Sequence, residues 1–255
     1  MLLDTWLMFQ REIRLRYRNR VWVAIDVSQP LLYIFLFGPL MKQFVSHTPG
    51  FPPGSMWMIF TPAMMMQVAI TAGSFVGIGL LADYRAGVVE RFKVTPCRPS
   101  AQLMGRILAT ALNVTAMASM VVASCVVFFD LRPPLVGVIS CFAVVSLFAV
   151  FVATCSYSVA LRLKNERSVS ALINAVMLPL LLLSGTLVPI TEVLAPKWLY
   201  SLSRLNPVTY MMDAARATFR GDLNLHSIGP GLVILSTLTL ASIWWGTKTI
   251  AQEDA

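Results

Sequence analysis

Six separate apolar runs, each long enough to cross a bilayer, constrain this chain more than any other feature. They fall at Trp22–Met41, Met56–Leu81, Leu103–Phe129, Pro134–Leu161, Ser168–Val188 and Ser227–Trp245. A spanning helix needs about 20 mostly apolar residues. In lipid the backbone N–H and C=O groups must also be satisfied within the segment, which makes each run a helix. Composition agrees: 57% of the 255 residues are hydrophobic and 13% are charged, against roughly a quarter charged in a soluble domain. Too few polar residues remain to cover a water-facing exterior. The expected fold is an all-α integral membrane protein, one domain over residues 1–255 with six transmembrane helices. Pro30 and Pro179 fall inside runs, where a membrane helix tolerates them as kinks.

Charge distribution orients the helices. Fourteen of the twenty lysines and arginines lie on one side, in the N-terminal segment (Arg11, Arg14, Arg16, Arg18, Arg20), between spans two and three (Arg85, Arg91, Lys93, Arg98, Arg106), at Arg162, Lys164 and Arg167, and at Lys248. Lys42, Arg132, Lys197, Arg204, Arg216 and Arg220 lie on the other. Basic residues flanking spans stay in the cytoplasm, so both termini are expected there. The net charge of +8 then reads as orientation and contact with anionic headgroups, with membrane lipid as the partner and no nucleic acid. The arginines follow the first apolar residues and no small-residue cleavage site comes after them, unlike a cleaved signal peptide.

Three segments outside the spans carry pattern. In residues 1–20, Leu2, Trp6, Phe9, Ile13 and Tyr17 recur at helical spacing with Arg11, Arg14 and Arg18 opposite. This predicts an amphipathic helix in the membrane interface, its arginines toward water and phosphate. In the cytoplasmic loop 83–100, Val88, Val89 and Phe92 share near-helical spacing among charges before Pro96 and Pro99, which predicts a short amphipathic helix. The outer loop 188–226 is apolar for a loop and broken by Pro189, Pro196 and Pro207. A re-entrant dip into a protein-lined part of the membrane is expected.

Several chemistries are missing from the sequence. No GxxxxGK[ST], HExxH or GxSxG occurs, and the two histidines, His47 and His226, lie in predicted outer loops. The chain therefore has no phosphate-cradling loop, and no catalytic or metal site is expected. Cys97, Cys125, Cys141 and Cys155 have no CxxC spacing, so neither disulfide nor metal is expected. Asp26 is the one acid near a span interior, expected to pair with an arginine such as Arg20 or Arg106 rather than to carry protons. Gly73-Ser-Phe-Val-Gly77 in the second span allows two helices to approach closely. The methionines at 56, 58, 64, 65 and 66 read as adaptable packing or lipid-facing residues rather than a metal relay.

Taken in order, the loop residues carry a family resemblance. Arg85, Gly87, Val88, Glu90, Arg91, Val94, Thr95 and Pro96, followed by Ser184-Gly185, Pro189, Pro196 with Trp198, Asn206-Pro207, Tyr210, Arg216 and Gly221, resemble the ABC-2 permeases of ABC transporters, in particular daunorubicin-resistance type drug exporters. The resemblance implies a permease subunit of an ATP-driven exporter in a bacterial-type plasma (inner) membrane. It is expected to pair with a second, identical permease and with two copies of a separate ABC ATPase chain. ATP and Mg would sit on that ATPase, with no cofactor on this chain. It also implies that the helix within 83–100 is a coupling helix seated in an ATPase groove, with Arg85, Gly87, Val88, Val89, Glu90, Arg91, Phe92, Thr95 and Pro96 making the contact. The outer re-entrant loop would be shaped by Ser184, Gly185, Pro189, Pro196, Trp198, Asn206, Pro207 and Tyr210. The expected cargo is an apolar or amphipathic compound, such as a drug or antibiotic. A polysaccharide or lipid-linked glycan is the alternative within the family, and a stand-alone secondary transporter or channel is the alternative from another class.

Overall fold

The computed structural model describes residues 2–18, 24, 28–36, 38–39, 56–93, 99–186, 190–192 and 195–253. Its elements, in chain order, are α1 (Leu2–Arg18), α2 (Met56–Arg85), α3 (Val88–Lys93), α4 (Pro99–Phe129), α5 (Leu135–Leu163), α6 (Glu166–Leu183), α7 (Lys197–Leu205), α8 (Pro207–Arg220) and α9 (Leu225–Glu253). Five of these, α2, α4, α5, α6 and α9, are long and apolar enough to cross a membrane. The first predicted span, Trp22–Met41, lies only partly within the described residues, and there residues 28–36 are helical. Asp26 and Lys42 lie outside them.

Helix α2 is the axis of the bundle. Eighteen of its residues are buried, among them Met64, Met65, Met66, Ala69 and Leu80, so of the two roles expected for the methionines packing applies to these three, with Met56 and Met58 half-buried at the edge of the same core. Its largest interface is with α5, and the GxxxG pair sits there. A Cβ on Gly73 would come within 2.9 Å of Val152 Cγ1, and one on Gly77 would overlap the Ser156 carbonyl. With hydrogens in place of side chains, the two backbones meet directly. The Ser156 hydroxyl accepts the Gly77 N–H at 3.0 Å and donates to the Ser74 carbonyl at 2.7 Å. In an apolar surround such bonds hold helices that hydrophobicity alone cannot distinguish from lipid.

The other helices close around this pair. Helix α4 lies against α2 and α5, and Thr115 and Ser146 join α4 to α5 through their hydroxyls at 2.8 Å. Asp130 turns the chain with φ of 50° before α5 begins. Lys164, at φ 48°, ends α5, and Asn165 caps α6 by accepting the N–H groups of Arg167 and Ser168. The helical stretch 28–36 buries Ile34 in the same core as Trp57, whose ring stacks on Phe129 at 3.8 Å. Among the described residues three buried clusters result: a large one around Met65, Phe148 and Met211, a smaller one around Leu80, Leu103, Tyr157 and Val89, toward the end of the bundle that carries α3, and a minor one of Ala214, Ala217 and Ile228.

Helix α1 packs on α4 at this same α3 end. Gly105 lets it in, since a Cβ there would lie 2.9 Å from the Phe9 nitrogen. Met8 is buried against it, while Leu2, Trp6 and Leu7 remain exposed. One expectation is corrected. Arg11 does not face water with Arg14 and Arg18; it turns inward to Asp83 at 3.2 Å. A carboxylate at the end of α2 draws it across the narrow gap that Gly105 permits.

If the α2–α5 contact fixes the bundle, Gly77→Ala should destabilise it by about 1–3 kcal/mol, the usual cost of overpacking. Gly79→Ala should be neutral, because the nearest atom to a Cβ there is 3.8 Å away. Thermal melts of the two variants in detergent should separate, and equal melting temperatures would refute the contact.

Candidate functional site

At the α3 end, α2 stops at Arg85, and Ala86 and Gly87 form a turn into α3. Gly87 has φ of +65°, the left-handed region that suits glycine, and its N–H bonds to the Tyr84 carbonyl at 3.1 Å. The Arg91 N–H then bonds to the Gly87 carbonyl at 3.3 Å, so α3 starts directly from the turn. Of the predicted contact residues, Arg85 is exposed and pairs with Glu166 at 2.6 Å, tying α2 to the start of α6. Val88 is half-buried and Arg91 is exposed. Val89, expected on the outward apolar face, is buried with Leu80, Leu161 and Ile250 in the chain's own core. It anchors α3 to the bundle. Glu90 and Phe92 take their places in α3, while Thr95, Pro96 and Cys97 lie outside the described residues.

Four charged groups brace this turn. Asp83 accepts from Arg106 and from Arg11, and Glu12 bonds Arg11 at 2.8 Å and lies 3.5 Å from Arg106 Nε. The Arg106 side chain is only 9% exposed, so its charge depends on these two carboxylates. The cluster joins α1, α2 and α4 one turn before α3. Arg106, offered above as a partner for Asp26, is thus held by Asp83 and Glu12. The sequence does contain a signal for this, since Asp83 and Arg106 flank two successive spans on the same side.

Between α2 and α6 runs a cleft of about 400 Å³, within the range of small-molecule sites. Gln67, Thr71, Ser74, Ser170 and Asn174 supply polar groups, and Ile70, Ile78, Met177 and Leu181 supply apolar walls. Helix α6 has little burial of its own, with Leu172, Val176, Leu178 and Leu182 exposed. Among the described residues, no charged side chain lines the cleft.

At the opposite end, the predicted outer-loop residues form two short helices. Pro196 precedes α7, and Trp198 is exposed on it. Asn206 is the joint: its Oδ1 accepts the Val208 N–H at 3.0 Å, its Nδ2 donates to the Leu180 carbonyl at 2.7 Å, and Pro207 opens α8. Tyr210 donates to the Arg204 carbonyl at 3.0 Å. Ser184 caps α6, and Gly185 follows at φ of +68°. Pro189 lies outside the described residues. Helix α8 is buried on most sides, against α9, α5 and α2. At 14 residues it measures about 21 Å, too short to cross a ~30 Å hydrocarbon core.

Arg216 on α8 is the residue that sequence reasoning placed without a role. It is 7% exposed, and its Nη2 donates to the carbonyls of Gly185 at 2.6 Å and Thr186 at 3.4 Å. Nearby, Arg204 of α7 bonds Asp213 of α8 at 3.0 Å. Partial burial opposes the Arg204 charge, but Tyr200 and Asp213 more than offset it, and its pKa lies above the usual arginine value.

The cluster that braces the α3 turn has a direct test. Asp83→Asn leaves Arg106 one carboxylate short and should cost about 3–5 kcal/mol, as removal of one partner from a buried pair does. Adding Arg106→Gln should restore part of that loss in thermal melts, and strictly additive losses would show that the two do not interact.

The family model described as ABC-2 type transporter matches residues 4–219. The ycf38 protein of Cyanophora paradoxa, named as a transport permease, is 25% identical over 234 residues, covering 86% of this chain and 79% of its own length. Its counterpart of the same name from Porphyra purpurea is 26% identical over 245 residues, covering 92% and 77%. With the multi-pass helical bundle described above, these matches establish that the chain belongs to the ABC-2 type transporter family.

Proposed function

We propose that this chain is the membrane-spanning permease subunit of an ATP-driven exporter, acting on an apolar or amphipathic compound such as a drug or antibiotic. The observation that carries the reading is the braced α3 turn. A six-residue helix leaves the central helix α2 through a glycine turn, is fixed by Val89 in the core, and presents Arg91 outward. Force applied to such a helix reaches α2 with little loss, because the ion cluster at Asp83 and the Arg85–Glu166 pair tie α2 to α1, α4 and α6. A separate ABC ATPase, in two copies, would press on Glu90, Arg91 and the residues through Thr95-Pro96. ATP and Mg would be held there and none on this chain.

The α2–α6 cleft is the proposed route. Its neutral mix of amide, hydroxyl and aliphatic side chains suits a compound with both apolar and hydrogen-bonding parts. Phe75 is the one aromatic ring among the described lining residues, which favours an amphiphile over a glycan that would need stacking faces. The bare outer face of α6 leaves the cleft open on one side, where a second, identical permease would close it. ATP-driven closure of the ATPases would then swing α2 against α6 about the Arg85–Glu166 tie at the α3 end and alternate the opening of the cleft. In this reading both termini face the cytoplasm of a bacterial-type cell, and α7 and α8 form the re-entrant element at the outer surface.

The test is transport by the permease and its ATPase reconstituted in vesicles. ATP should drive movement of an amphipathic dye, and Glu90→Arg should leave insertion and ATP hydrolysis in place while transport falls by about tenfold or more, the scale of one misplaced interface charge. Transport without the ATPase, or unchanged transport in Glu90→Arg, would overturn the proposal.

A further inference from the structure

The end of the bundle opposite α3 holds a second cavity, of about 260 Å³, walled by Arg204, Asp213, Arg216 and Arg220 with Thr209 and Ser227. That volume is far above the ~10–15 Å³ that admits one water. Three arginines face one carboxylate, and that carboxylate is already committed to Arg204 at 3.0 Å. The other acids of the 188–226 segment, Glu192 and Asp222, do not line the cavity. Arg216 is the telling residue. It is buried at 7% exposure, no described carboxylate lies within ion-pair distance, and its Nε has no hydrogen-bond partner among the described residues. Its Nη2 holds the Gly185 and Thr186 carbonyls, which supply partial rather than full negative charge. A buried guanidinium is ordinarily matched by an anion.

We propose that this cavity is an anion site that takes a phosphate group, carried by a lipid headgroup or free in solution. Arginine forks match phosphate oxygens in pairs, and the Ser227 hydroxyl offers another donor at the cavity wall. Ile59 and Ala217 add an apolar side that a lipid glycerol and acyl chain would cover. Bound phosphate would tie α7 and α8 to the start of α2 and the cap of α6, stiffening this end of the bundle. The α2–α6 cleft shares no described lining residue with this cavity, so the site is separate from the proposed route and does not depend on the identity of the cargo.

The full-length chain in a non-ionic detergent is titrated with inorganic phosphate, short-chain phosphatidylglycerol, and the diacylglycerol of the same tails. Saturable binding is expected for phosphate, for phosphatidylglycerol or for both, and not for diacylglycerol. Phosphate binding identifies a free anion as sufficient, and binding of phosphatidylglycerol alone identifies a lipid site. Arg220→Gln, at an exposed position, should fold normally and lower the affinity by about tenfold, the scale of one charge-assisted bond. Arg216→Gln should abolish binding if it folds, and Arg220→Gln keeps the test decisive if it does not. Phosphate and phosphatidylglycerol binding no better than diacylglycerol, or an affinity unmoved by Arg220→Gln, would overturn the proposal.

Discussion

Everything in this bundle is referred to the contact between α2 and α5, where Gly73 and Gly77 meet Val152 and Ser156 without intervening side chains. Lipid is as good a solvent for leucine as another helix is, so apolar area alone does not choose a partner inside a membrane. Backbone contact and the Ser156 bonds to Gly77 and Ser74 do choose one. Once α2 is locked at the centre, its two ends set the remaining features. One end delivers the turn to α3, and the other forms a wall of the arginine-lined cavity through Ile59. The flank left free faces α6 across the cleft.

The two ends carry charge in different ways. At the α3 end, Arg11 and Arg106 are balanced by Glu12 and Asp83, a closed cluster that makes three helices move as one. At the α8 end, Arg216 is held by carbonyls and Arg204 takes the nearest carboxylate, so positive charge is left over. A balanced cluster suits a mechanical brace, whereas an unbalanced one suits a binding site. The neutral cleft between them suits passage, because a fixed charge there would either trap a cargo or repel it.

Much of this was legible in the sequence because lipid imposes simple rules. Apolar length gave the spans, and α2, α4, α5, α6 and α9 fall where the runs predicted. Glycine spacing at 73 and 77 marked the close contact, although only the structure names α5 as the partner. The amphipathic period of residues 2–18 gave α1, but a period defines a face and not what covers it, so the inward turn of Arg11 was missed. Val89 shows the same limit: its spacing fits an amphipathic helix, but only the structure shows that its own side chain is buried in the chain's core. The segment 188–226 was recognised as too apolar for a loop. That it contains α8, buried on most sides with a charged Arg216, could not be read, because an arginine's burial depends on the carbonyls that a broken α6 exposes.

In the proposed function α3 receives the force of an ATPase at the end of α2. A photo-crosslinking amino acid placed at position 91, which is exposed, and separately at position 198 on α7, tests it in membranes that contain the partner ABC ATPase. A covalent permease–ATPase adduct is expected from position 91 and none from position 198. An adduct from 198, or none from 91 in a complex that still transports with ATP, would contradict it.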